Sequence, residues 1–213
     1  MTTNGVPAQA VAPVRAVLLV EDDLALSGYL ASALKDAGYT VQTAHDRAQA
    51  LAAWAAPQPP MLILLDLGLP PRPSTMVEGL AVLDQGLRLA PGAKVIVLTG
   101  QDERTAALEA VRRGAFDFLV KPATMASILA ALSRAELFVR QEGRLAETGE
   151  ARLHLTAKLD EGPKEAAANA EEQLLRRAFV ASNYNVAQTA RQLGLAREHV
   201  YYYLNKYGLR RPD

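Results

Sequence analysis

The chain has 213 residues, half of them hydrophobic, and no net charge, with 23 Lys and Arg against 23 Asp and Glu. It has no cysteine, which excludes a disulfide framework and thiol catalysis, and no apolar stretch reaches the roughly 18–20 residues a membrane-spanning helix needs. Charge is unevenly spread: residues 1–150 carry 13 basic against 16 acidic side chains, and from residue 174 onward the count is 7 against 2, a split that points to nucleic acid as a partner of the tail.

Residues 1–13 have neither a charged leader region nor a long apolar core, so they are expected to form a disordered lead-in and the protein to be cytoplasmic. Arg15–Val20 reads as a first strand. Ala25–Gly38 carries Leu26, Leu30, Ala33, Leu34 and Ala37 at helical spacing and closes on glycine. Thr40–Thr43 is a short strand, and Arg47–Ala56 is a helix stopped by Pro57-Gln58-Pro59-Pro60. The apolar run Met61–Leu65 is a buried strand ending at Asp66. Gly79–Leu89 is a helix closed by Pro91-Gly92, and Lys94–Leu98 is a strand. Glu103–Arg113 is a helix capped by Gly114, and Ala115–Val120 is a fifth strand. Thr124 can cap a last helix running to about Leu137, or beyond Arg140.

Strands alternating with helices predict an α/β fold with a parallel sheet covered on both faces. Right-handed crossovers make it doubly wound and flavodoxin-like, with strand order 2-1-3-4-5. Ligands in such sheets sit at the carboxyl ends of the strands, and there the polar residues gather. The first strand ends in Glu21-Asp22-Asp23, the third in Asp66, the fourth in Thr99 and the fifth in Lys121-Pro122.

Acids, Asp, Thr and Lys-Pro in that order resemble the receiver domain of two-component response regulators, over residues 14–138. The resemblance implies that Asp66 is phosphorylated by a sensor histidine kinase. It implies a Mg²⁺ ion held by Asp22, Asp66 and the backbone carbonyl of Gly68, with Glu21 in support through water. Hard oxygen donors suit that ion. Thr99 and Lys121 would meet phosphoryl oxygens, the Lys121–Pro122 bond would be cis, and Thr99 and Phe118 would form the conformational switch. Asp23 is the less favoured ligand. No enzyme activity is expected beyond the domain's own phosphoryl transfer and dephosphorylation. A P-loop motif is absent, and Asp66-Leu67-Gly68 lacks the second acid of haloacid-type Asp phosphatases. Receivers commonly place Gly eight residues after the acceptor, whereas here Gly79 is thirteen on, so the loop at residues 71–78 is extended. Trp54 reads as helix packing and His45 as a surface residue.

Residues 139–164 form a polar linker, with Pro163 able to open the next helix. Leu174, Leu175, Ala178 and Phe179 then sit at helical spacing. Asn185 is a good N-cap for Val186–Leu193, Gly194 turns the chain, and Arg197–Tyr207 is a final helix. Residues 165–213 resemble the small all-α helix-turn-helix of the Fis type, as in the small photosynthesis and redox response regulators. The resemblance implies a homodimer, paired through the helix near Leu174–Phe179, that binds promoter DNA. The last helix would offer Arg197, Glu198 and His199 to base edges. Arg191, Tyr202, Lys206, Arg210 and Arg211 would face phosphates, and Val200, Leu204 and Tyr207 would pack. Departures are Ala196 at the usual Ser/Thr cap and Tyr202-Tyr203 where a basic pair is common. The competing reading is a phosphorylation-controlled interaction or dimerisation module without sequence-specific DNA binding.

Overall fold

The computed structural model describes residues 15–100, 104–153 and 162–211. The expected lead-in, the helix start at Glu103 and part of the linker lie outside those residues.

The elements run β1 (Ala16–Val20), α1 (Leu24–Asp36), β2 (Thr40–Ala44), α2 (Arg47–Trp54), β3 (Leu62–Asp66), α3 (Val77–Leu89), β4 (Lys94–Thr99), α4 (Arg104–Arg112), β5 (Asp117–Val120) and α5 (Met125–Glu147). Three further helices follow: α6 (Gly162–Ala181), α7 (Val186–Leu193) and α8 (Arg197–Lys206). The five strands form one sheet in the order β2-β1-β3-β4-β5, and all pair in parallel. This is the doubly wound order expected from right-handed crossovers and from the receiver resemblance.

The period of two along each strand divides the core into two layers. Leu18, Val20, Ile63, Leu65, Val95 and Val97 pack on one face with Trp54, Val82, Leu83 and Ala110 of α2, α3 and α4. Val17, Leu19, Leu62, Leu64 and Ile96 pack on the other with Leu30, Leu34, Ile128 and Leu132 of α1 and α5. Continuous apolar runs in β1, β3 and β4 are therefore what a sheet covered on both faces requires.

The N-caps are side-chain acceptors where the sequence offers them: Asp23 for α1, Asp46 for α2, Thr124 for α5 and Asn185 for α7. Helix α5 takes the longer of its two expected extents, continuing past Arg140 to Glu147 into residues assigned to the linker. Its Glu136 and Arg140 pair at i,i+4, 3.1 Å apart, and Ala-, Leu-, Arg- and Glu-rich composition favours continuation.

The last three helices have a core of their own. Leu175 and Phe179 of α6 meet Ala190 of α7, Val200 and Leu204 of α8, and Leu209. Between α6 and α7 the chain reverses through Asn183 and Tyr184, both with left-handed φ (51° and 61°). The reversal is fixed by the Tyr184 N–H donating to the Phe179 carbonyl at 2.8 Å and by the two rings meeting edge to face, centroids 5.3 Å apart. Among the described residues no helix is long and apolar enough to cross a membrane.

Candidate functional site at the carboxyl edge of the sheet

Parallel register brings the polar strand ends together. Asp66 lies opposite Leu98 on β4, so Thr99 is one step beyond it, and Thr99 lies opposite Val120, one step before Lys121. The Lys121 N–H donates to the Thr99 carbonyl at 2.6 Å, and the Glu21 N–H to the Ala44 carbonyl at 3.0 Å, so backbone ladders carry the site residues beyond the strands themselves.

Carboxylate oxygens of Glu21, Asp22 and Asp66 lie within 4.8 Å of one another. Glu21 is 1% exposed, while Asp22 and Asp66 are half-buried. A single ammonium bridges two of the acids: Lys121 Nζ stands 2.9 Å from Glu21 Oε2 and 3.0 Å from Asp66 Oδ2. Burial raises the Glu21 pKa, and its hydrogen bond from Lys121 opposes the rise only in part. Burial also pulls the Lys121 ammonium down, yet Glu21 and Asp66 outweigh it and leave the amine above its ordinary value. The amine is therefore a fixed positive charge beside the Asp66 carboxylate.

Asp23 stands apart from the acid group because its side chain is occupied. Its Oδ1 accepts from the N–H groups of Ala25 and Leu26 at 2.8 and 3.0 Å, the ordinary work of an N-cap. Thr99 is buried, and its hydroxyl donates to the Gly100 carbonyl at 3.4 Å. Phe118 is 39% exposed, with its ring on the outer surface of β5. The Lys121–Pro122 peptide is cis, as is Pro70–Pro71.

Two features of the site had no signal in residue order alone. His45 Nδ1 donates to the Glu21 carbonyl at 2.9 Å, which ties the loop after β2 to the acid-bearing loop after β1. The extended loop folds back onto the turn that follows Asp66. A Cβ at Gly68 would meet the Pro73 carbonyl oxygen at 2.7 Å and Asp66 Oδ2 at 3.6 Å. The loop ends in a buried acid, Glu78, held by Arg72 Nη2 at 2.6 Å and Arg47 Nη1 at 3.3 Å. These cations, Arg72 first, keep the Glu78 carboxyl below its ordinary range. Next to it, Gly79 lets α3 approach the β3 exit, because a Cβ there would lie 2.4 Å from Leu67 Cα.

At the tail, Arg191, Arg197, Glu198, His199, Tyr202, Arg210 and Arg211 are exposed. Val200 and Leu204 are buried and Tyr207 partly so. Lys206 is engaged: its Nζ stands 2.8 Å from Glu171 of α6, which also accepts from the Tyr207 hydroxyl. Asn185 Oδ1 accepts from the Gln188 N–H at 3.0 Å, whereas Ala196 gives α8 no side-chain cap.

The family model for the response regulator receiver domain matches residues 17–133. The chain is 39% identical over 106 residues to the nitrogen assimilation regulatory protein NtrX of Azorhizobium caulinodans, covering 50% of this chain but only 22% of NtrX. It is 29% identical over 195 residues to the acid tolerance regulatory protein ActR of Rhizobium meliloti, covering 92% of this chain and 88% of ActR. Among solved structures, a response regulator protein from Burkholderia pseudomallei, with a phosphorylated aspartic acid, calcium ion and citrate, aligns at a TM-score of 0.51 and 28% identity over 92% of this chain and 99% of its own. With the sheet order, the strand-end residues and the family match all in agreement, the chain belongs to the two-component response regulators and carries their receiver domain.

Proposed function

We propose that the chain is a phosphorylation-gated transcription regulator with a receiver over residues 14–138 and a Fis-type DNA-binding module over residues 165–213. The observation that carries the first half is the Asp66 carboxylate, gathered with Glu21 and Asp22 and bridged by the Lys121 ammonium. An Asp66 oxygen attacks the phosphorus of a phosphohistidine on the sensor kinase. The new O–P bond makes an acyl phosphate as the N–P bond breaks, and the imidazole leaves with its electron pair.

Three carboxylates on so small a locus fit a hard divalent cation such as Mg²⁺. Asp22, Asp66 and the Gly68 carbonyl would hold it and Glu21 would support it. When bound, the ion offsets charge on the phosphoryl oxygens. Lys121 serves one of those oxygens directly. The Thr99 hydroxyl, with only a long bond to its neighbour's carbonyl, is free to turn toward another, and the outward Phe118 ring is free to follow. That sequence would alter the surface formed by α4 and β5.

For the second half, exposed Arg197, Glu198 and His199 in the first turn of α8 suit base edges, and Arg191, Arg210, Arg211 and Tyr202 suit phosphates. ActR, a regulatory protein of almost the same extent, supports a regulator built from these two parts. The expected assembly is a homodimer on a two-fold site. The competing reading, a tail that docks protein rather than DNA, is favoured by one observation: Lys206 is neutralised by Glu171.

The test is binding of the full chain to a randomised DNA pool at two salt concentrations, with and without beryllofluoride. Enrichment of a palindrome, strengthened by beryllofluoride and weakened by salt, is the expected result, and Asp66→Ala should lose the beryllofluoride effect. An unenriched pool in both states would overturn the DNA half and leave the tail as a docking module.

A further inference from the structure

The amino-terminal edge of the sheet, opposite the acid site, holds a charged group that the receiver alone does not explain. Lys94, the first residue of β4, is 2% exposed. Its N–H donates to the Met61 carbonyl at 2.7 Å, and its ammonium points to Glu142 Oε2, 2.8 Å away. Burial depresses this amine, and Glu142 restores part of the loss. Glu142 lies in the extension of α5, past residue 133 where the family match ends. The same Glu142 oxygen is 3.7 Å from Arg177 Nη1 of α6. Arg177 Nη2 also donates to the Pro91 carbonyl at 3.1 Å, in the turn that leads into β4. Two cations from different parts of the chain thus converge on one acid, and one of them also caps a receiver carbonyl.

The helix that supplies Arg177 is amphipathic in a telling way. Leu175, Ala178 and Phe179 are the buried residues of α6, and Leu175 and Phe179 belong to the tail's own core. Arg176 and Arg177 lie on the side that meets the receiver. A crevice of about 250 Å³ remains between the two parts, lined by Arg88, Lys94 and Arg113 on one side and Glu172, Arg176 and Arg177 on the other. The junction is incompletely filled, with the charged groups set beside apolar lining from Leu87, Ala93 and Phe116.

We propose that the base of the receiver, where Pro91, Lys94 and Glu142 converge, is a docking surface for α6 of the same chain, with Arg177 as its latch. The latch sets one orientation of the tail relative to the sheet. Because Lys94 and Thr99 are the two ends of β4, the docking surface and the acid site share one strand. If the tail pairs two-fold through α6, which rests on the functional reading above, docking also occupies one side of the helix that must pair.

The test uses spin-label distances in the full chain. The absence of native cysteine makes labels at exposed positions clean, with Ser32→Cys on α1 and Gln192→Cys on α7. The otherwise native chain should give one narrow distance distribution. Arg177→Gln, which leaves every receiver residue in place, should broaden it. Lys94→Met with Glu142→Leu should broaden it as well while leaving the whole tail sequence unaltered. Replacing a buried ion pair by apolar residues of similar volume is commonly neutral for stability, and unchanged Trp54 fluorescence would report an intact receiver in that variant. A narrow distribution that survives both changes, or a broad one in the native chain, would overturn the latch. The distance depends on neither phosphate nor DNA, so a tail that fails to bind DNA leaves this result standing, and loss of the latch leaves the DNA reading standing.

Discussion

The receiver and the tail hold their functional side chains by different means. In the receiver every residue of β4 is buried, and the acid site is a by-product of strands whose registers are fixed by packing on two faces. In the tail a single core of Leu175, Phe179, Ala190, Val200, Leu204 and Leu209 supports three helices, and the residues expected to read DNA stand free on its outside. Position is thus set by a rigid sheet at one end and by helix caps and a small core at the other. The difference predicts unequal tolerance. Receiver chemistry should resist surface change and fail on core change, whereas the tail should be sensitive to both.

The largest effect should come from truncating the sheet core. Leu64→Ala removes a fully buried side chain from the central strand, where neighbours on two strands and two helices cannot collapse, so its cost should lie toward the top of the usual range of about 2–5 kcal/mol. Leu204→Ala, 7% exposed in the small tail core, should lie toward the bottom. Trp54 is the chain's single tryptophan and sits in the receiver core, so its fluorescence in urea reads the receiver, while amide exchange in α7 and α8 reads the tail. Leu204→Ala moving the Trp54 transition as far as Leu64→Ala would show one cooperative unit and dissolve the distinction.

A second effect sharpens how closely the receiver is packed. Gly86 lies in the last turn of α3, where a Cβ would meet the Trp54 ring at 2.3 Å. Gly86→Ala should gain helix propensity, yet overpacking should win, at a net cost of about 1–3 kcal/mol, with a visible change in Trp54 emission. Unchanged or raised stability would mean that the indole can slide, and that the receiver core is looser than its burial suggests.

A smaller effect belongs to the tail alone. The Thr189 hydroxyl is buried between the Asn185 carbonyl at 2.9 Å and the Ser182 hydroxyl at 2.6 Å. Ser182 also donates to the Phe179 carbonyl at 3.0 Å, so Thr189→Val leaves Ser182 one partner and should cost only about 1 kcal/mol. That loss should appear as faster amide exchange in α7 and leave the Trp54 transition in place.

How legible each end was in the sequence follows the same division. Apolar runs of near strand length marked β1, β3 and β4 as buried parallel strands, whereas the largely exposed β2 had no such run, and the strand order rested on crossover handedness together with the receiver resemblance. Asp66, Glu21, Asp22 and Lys121 could be grouped for the same reason: parallel register places strand ends side by side. What residue order did not reveal were contacts made across long separations by side chains with several possible partners. Lys94 to Glu142, Lys206 to Glu171, and His45 to the Glu21 carbonyl are of that kind. The folding back of Pro73 onto Gly68 is another, since an extended proline-rich loop announces its length but not its direction. The tail's helices were bounded by caps, Asn185 and the Gly194 turn, while the end of α5 was left open between Leu137 and a point past Arg140, because a polar composition there suits helix and linker alike.

The finest comparison is between tyrosines, and it turns on pH. Tyr39 is raised from 10.0 to about 12 by burial first and by its bond to the Glu136 carboxylate second, with Arg15 opposing. Its folded pKa exceeds its unfolded value, so the native state holds this proton more tightly. The stability it contributes is full below about 10 and is lost as pH rises through about 12. The Trp54-reported midpoint in urea should therefore fall as pH is raised across that window, and a near-ultraviolet titration should show one receiver tyrosine ionising late. Tyr39→Phe keeps the ring and removes the proton, so it should flatten the fall in the receiver. A fall of the same steepness in that variant would place the alkaline sensitivity elsewhere, though not at Lys94: burial depresses that amine, so its proton is lost earlier in the folded state than in the unfolded one, and its own contribution would raise stability with pH.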